Sequence, residues 1–194
     1  FLQNARSALQ KHLTGRLTNL GATYVRFLYA WPFALLYLLA LHQWGGMALP
    51  RFNGVFLIYC VLGGVSQIMF TGLLMWLFSF RNFAVGTTYS KTEVVQIALL
   101  GYLILGDTLS AMAALAIVVA AAGVVLLSMG QTRVGLASLL AGLTEKPTLI
   151  GLACGAFLGA SVVFYRGAAL SLGYDGPVMA AAYTLAVSVV IQTV

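Results

Sequence analysis

Turns and charged residues divide the chain into six apolar segments: Ala22–Leu41, Gly54–Phe78, Phe83–Leu105, Ala111–Met129, Thr148–Leu170 and Pro177–Val194. Each is close to the length at which a helix crosses the hydrocarbon core of a bilayer, about 20 residues. Hydrophobic residues make up 61% of the chain and charged residues 7%, against roughly 25% charged in an ordinary soluble domain. A water-soluble fold of 194 residues has too little interior to hide that much apolar surface. The sequence therefore predicts an all-α polytopic membrane protein. The net charge of +6 is spread along the connections and forms no basic cluster on a polar domain, which argues against nucleic-acid binding and for topology determinants beside the spans.

One span is not uniformly apolar. Tyr89-Ser-Lys-Thr-Glu-Val-Val-Gln96 lies inside Phe83–Leu105, with Lys91 and Glu93 near its middle. A charge at bilayer centre costs about 2.5–3.5 kcal/mol on insertion scales, so two of them face other helices, each other or a water-filled path. Two residues apart on a helix, they point about 200° away from one another and do not pair directly. Glu93 shares a face with Tyr89, Thr92 and Gln96, a stripe that offers a carboxylate, a phenol and an amide to a solute. The structural alternative pairs Glu93 with Arg26 and Lys91 with a carboxylate elsewhere.

Arg26, one turn inside the first span, either joins this site or snorkels to the interface. Gln67, beside Ser66 and Thr71, either lines the same cavity or makes an interhelical hydrogen bond. Tyr165-Arg166 reads as an interfacial anchor, as do Trp31, Trp44 and Trp76. His12 and His42 lack metal-ligand spacing, and Cys60 and Cys154, inside apolar stretches, read as small packing residues. No enzyme signature is present: His-Glu-x-x-His and Gly-x-Ser-Gly are absent, and Ile104-Leu-Gly-Asp107 misses Gly-x-Gly-Asp by one residue. Gly63-Gly64 is not followed by the Lys-Ser or Lys-Thr of a phosphate loop. No cofactor is implied, and any transport would be secondary or facilitated.

Between the spans, Gly106-Asp-Thr-Leu-Ser110 predicts a tight turn in which Ser110 caps the helix beginning at Ala111. Gly130–Lys146 contains a weakly apolar run, Val134–Leu143, too short to span, which fits either a surface helix or a flexible linker. Gly151-x3-Gly155-x3-Gly159 puts small residues on one helix face, the pattern of close backbone packing. Finally, Arg6-Ser-Ala-Leu9 is echoed by Arg166-Gly-Ala-Ala-Leu170, an offset of 160 residues, each followed by glycine and a new span. A five-span unit repeated once places its copies in inverted orientation. On this division residues 1–129 form a first repeat whose first span is mostly missing, 130–147 a linker, and 148–194 the start of a second repeat. The chain would then be a fragment of a protein of roughly 300 residues and ten spans.

Lys91-Thr-Glu-Val-Val-Gln-Ile-Ala-Leu-Leu-Gly-Tyr-Leu-Ile-Leu-Gly-Asp-Thr-Leu-Ser110 resembles the fourth span of the EamA-type members of the drug/metabolite transporter superfamily. Gly123-Val-Val-Leu resembles the fifth, and Arg26-Phe-Leu-Tyr-Ala-Trp-Pro32 the start of the second. Val94 stands where the family usually has proline, and Asp107 where it has glutamate. The resemblance implies a ten-helix transporter of two inverted five-helix repeats in a bacterial cytoplasmic membrane. It also implies export of an amino-acid-like compound or drug, a solute path at the repeat interface, and possible coupling to protons. A non-transporting membrane scaffold with paired buried charges is the rival reading. Glu93, Lys91, Tyr89, Gln96, Gln67 and Arg26 are the expected solute-binding or coupling residues. Arg6, Lys11, Arg16, Arg81, Arg133 and Lys146 fall on one side of the membrane, and Arg51 and Arg166 on the other. The positive-inside bias thus places Gly130–Lys146 in the cytoplasm, whereas ten-span relatives with cytoplasmic termini would place it outside.

Overall fold

The computed structural model describes residues 21, 28–80, 90, 92–108, 110–132 and 145–193. Their regular elements are α1 (Ala30–Gln43), α2 (Gly54–Leu77), α3 (Glu93–Leu100, prolonged by a π-helical turn, Gly101–Leu105), α4 (Ala111–Thr132), α5 (Lys146–Ser171) and α6 (Pro177–Thr193). The expected run Val134–Leu143 lies outside the described residues.

The helix ends follow from local chemistry. Ser110 caps α4 as its sequence predicts: its Oγ accepts the Ala113 N–H at 3.2 Å, and its carbonyl takes the Ala114 N–H. Asn53 does the same for α2, where its Oδ1 accepts the Phe56 N–H at 2.7 Å. Its Nδ2 donates to the Ser171 carbonyl at 2.8 Å, tying the start of α2 to the end of α5. Pro177 opens α6 at the one helical position where a missing N–H costs nothing. Gly106 and Gly173 terminate the preceding turns at φ 69° and 56°, a left-handed conformation that residues with a Cβ avoid.

Helix α2 has 24 residues and α5 has 26, about 36 and 39 Å at 1.5 Å per residue, against a hydrocarbon core of about 30 Å. Val55, Ile58, Val61, Val65, Ile68 and Trp76 of α2 face outward and exposed. Such a surface suits lipid and not water. Trp31 and Trp44 are exposed as well.

Two compact units divide the chain, one of residues 1–68 and 164–194, the other of residues 69–163; α2 and α5 contribute a segment to each. In the first unit α1 meets α6 through Ala34, Leu38, Met179, Ala182 and Ala186. There α2, α5 and α6 enclose Phe56, Cys60, Ala168, Leu172 and Ala180, with the Tyr183 ring 5.5 Å from that of Phe56. In the second unit Phe70 and Leu77 of α2 pack with Ile150 and Cys154 of α5. Both cysteines are free and fully buried, the packing role expected of them. Hydroxyls inside these helices turn back on their own backbone: Ser161 donates to Leu158 O at 2.8 Å, Ser171 to Ala168 O at 2.7 Å and Thr184 to Ala180 O at 2.8 Å. Each is satisfied without a second helix.

Candidate functional site

Tyr89, Lys91 and Arg26 lie outside the described residues; Glu93, Gln96 and Gln67 are described. Glu93 and Gln96 belong to the second unit and Gln67 to the first.

In the second unit the glycine face of α5 seats α3. A Cβ added at Gly155 would stand 3.1 Å from the Ser90 carbonyl oxygen and 3.3 Å from the Gln96 amide. One at Gly159 would meet Ile97 Cγ1 at 3.3 Å and the Glu93 carbonyl oxygen at 3.6 Å. The Gly-x3-Gly pattern is therefore an intramolecular seat. Gln96 donates from Nε2 to Thr92 Oγ1 at 3.0 Å and to the Leu152 carbonyl at 3.4 Å, while its buried Oε1 accepts no hydrogen bond among the described residues. Gln96 thus acts between helices, and Glu93 lies half-buried one turn before it at the start of α3. At the other end of this element Asp107 folds back over Gly101, its Oδ2 3.0 Å from where a Cβ would stand. The acidic residue that ends the Leu-Gly-Asp turn is in this way drawn against its own helix.

In the first unit Gln67 is joined by residues that sequence reasoning passed over. The Gln192 Nε2 donates to Gln67 Oε1 at 3.0 Å and to the Tyr165 phenol oxygen at 2.6 Å, so one carboxamide links α2, α5 and α6. Helix α2 makes room for it. A Cβ at Gly63 would fall 2.6 Å from the Tyr165 ring, and one at Gly64 would touch Gln192 Cγ at 3.5 Å. Gly63, Gly64 and Gln67 sit three and four residues apart, on one face. That spacing was the local trace of the cluster; Gln192, 125 residues away, left none. Tyr165, expected as an interfacial anchor, serves here as an interhelical acceptor.

The cluster borders a cavity of about 440 Å³, also lined by Arg166, Thr184 and Ser188 and by the apolar Ala30, Ala169, Ala181, Leu185 and Val189. Apolar walls, a few converging polar groups and a volume within about 300–1,000 Å³ are the usual attributes of a small-molecule site. Gln67 lines this cavity, and neither Glu93 nor Gln96 does. Among the described residues no group of three His, Cys, Asp or Glu side chains is placed to hold a metal.

The model of the EamA-like transporter family matches residues 6–129, well over half of the chain. The protein belongs to the EamA-like transporter family. No curated protein and no solved structure matches the chain. As a member of this family the protein is a membrane transporter, in keeping with the lipid-facing surface of α2. The family match takes in Ala30 and Gln67 of the cavity; Tyr165, Arg166 and the α6 residues come from beyond it.

Proposed function

We propose that this EamA-like protein is a secondary or facilitated transporter that exports a small polar metabolite, an amino-acid-like compound or drug, across a bacterial cytoplasmic membrane. Two inverted five-helix halves rock about a solute path at their interface, and Glu93, with Tyr89, Lys91 and Arg26, binds the solute or couples its movement to protons. The observation that carries this reading is the cavity enclosed by α2, α5 and α6. Polar side chains converging inside a membrane-embedded helix bundle are costly unless they serve a path or pair fully. An export screen in cells expressing the intact gene tests it. Efflux of at least one amino-acid-like metabolite or drug should rise with expression, and a broad panel with no gene-dependent efflux would refute transport in favour of a scaffold.

Orientation follows from the basic residues, with Gly130–Lys146 on the cytoplasmic side. A Thr132→Cys variant, in a background lacking Cys60 and Cys154, should resist a membrane-impermeant maleimide in intact cells and react after permeabilisation. Reaction in intact cells would place the loop outside.

A further inference from the structure

We propose that the cavity of the first unit takes an uncharged, mainly apolar organic compound of about bicyclic size, and not an ion or a zwitterion. This deepens the transport reading, on which it rests, by choosing the drug-like solute over the amino-acid-like one.

The polar groups around the cavity are occupied with one another. Gln192 commits both of its amide hydrogens inside the cluster, one to Gln67 and one to Tyr165. Gln67, Tyr165 and Arg166 take part in further interactions of their own. Thr184 lines the cavity, yet its hydroxyl donates to the Ala180 carbonyl at 2.8 Å. The Ser188 hydroxyl oxygen has no hydrogen-bond partner among the described residues, but it is enclosed and so presents little to a solute. A sugar or an amino acid entering here gives up its bonds to water and finds few groups ready to replace them. That loss recurs for every polar group left unanswered.

Charge fares no better. Among the described residues no carboxylate lines the cavity, so an ammonium finds no counter-ion. Arg166 is exposed and already engaged, and together with Asp175 it lines a second cavity of about 410 Å³. Its charge is screened by water and shared with its own neighbours, so a carboxylate gains little from it. What the cavity does offer is apolar contact, from Ala30, Ala169, Ala181, Leu185 and Val189. Its volume of about 440 Å³ is about three times that of an apolar cavity that holds one benzene, roughly 150 Å³. A fused two-ring body fits, with room for one short side arm.

Tryptophol, tryptamine, indole-3-acetate and tryptophan share one bicyclic body and carry, in turn, no charge, a positive charge, a negative charge and both. Binding of each to the purified intact protein in nanodiscs is measured by calorimetry, with empty nanodiscs subtracted for partition into lipid. Tryptophol should bind about tenfold more tightly than any of the other three, because only it enters without stranding a charge. Ala181→Leu, which fills the cavity from an exposed position on α6, should weaken tryptophol binding about tenfold. Thr184→Val should leave it within about twofold, since the lost hydroxyl was bonded to its own helix. Arg166→Gln should leave the order of the four compounds unchanged. Size-exclusion profiles and melting temperatures establish that each variant is folded. Equal binding of the four, tightest binding of a charged member, no protein-dependent binding of tryptophol, or undiminished tryptophol binding in Ala181→Leu would overturn the proposal. Because no gradient is applied, tryptophol binding without gene-dependent export would count against the transport reading alone. Export of an amino-acid-like solute with no preference for tryptophol would count against the subsite alone.

Discussion

Glu93→Gln should abolish export or uncouple it, while expression and folding stay near those of the wild type. Glutamine keeps the shape of the side chain and its ability to hydrogen-bond, so the half-buried start of α3 loses charge and little else. If Glu93 exchanges a proton in each cycle, the variant loses the dependence of export on the proton gradient. If it stays charged and binds an ammonium on the solute, affinity falls, by tenfold or more for one charge-assisted hydrogen bond of roughly 1.5–3 kcal/mol. An uncharged solute leaves only the first of these. Lys91→Met should do less harm if that side chain only pairs with a neighbouring helix. Export rates in proteoliposomes, measured across a pH series, decide the matter. Wild-type rate and wild-type pH dependence in Glu93→Gln would leave a structural ion pair as the better account of these charges.

The second large effect concerns the seat beneath that residue. Gly155→Leu should lower the melting temperature of the detergent-solubilised protein by several degrees and suppress export. Its Cβ alone would stand 3.1 Å from a backbone carbonyl, that of Ser90, which cannot swing aside as a side chain can. Forcing extra methylenes into a packed contact typically costs about 1–3 kcal/mol. Gly72→Leu is the matched control: a Cβ there meets nothing within 4 Å, so the same substitution on α2 should be tolerated. Equal loss of stability in the two variants would mean that α3 does not depend on the glycine face of α5.

Features encoded over a few residues were legible in the sequence. The segments around α2, α5 and α6 were bounded to within a few positions, because Asn53, Pro147, Gly173 and Pro177 punctuate them. Ser110 was readable as a cap because capping is settled within one turn, and the glycines of α5 because small-residue spacing reports one helix face. The site was less legible. Gln67 was picked out as polar in an apolar span, but its partners arrive from α5 and α6, and no pattern local to α2 names them. The polar stripe Glu93–Gln96 was visible as chemistry, yet its surroundings depended on which helix lay opposite. Gln96 turned out to be directed at Leu152 and Gly155.

The hydroxyls that turn back on their own helices bear on how the bundle could move. The hydroxyls of Ser171 and Thr184 ask nothing of a neighbour, so sliding α5 or α6 past another helix leaves these two bonds intact. Gln192 is different, since both of its donated bonds end on other helices. Displacing α6 from α2 and α5 therefore means releasing at least this side chain, with each neutral hydrogen bond worth about 0.5–1.5 kcal/mol net. In mechanical terms the described residues of the first unit combine low-friction contacts with two catches, the Gln192 carboxamide and the Asn53 side chain that holds the Ser171 carbonyl. Each catch is weak enough for thermal motion to open.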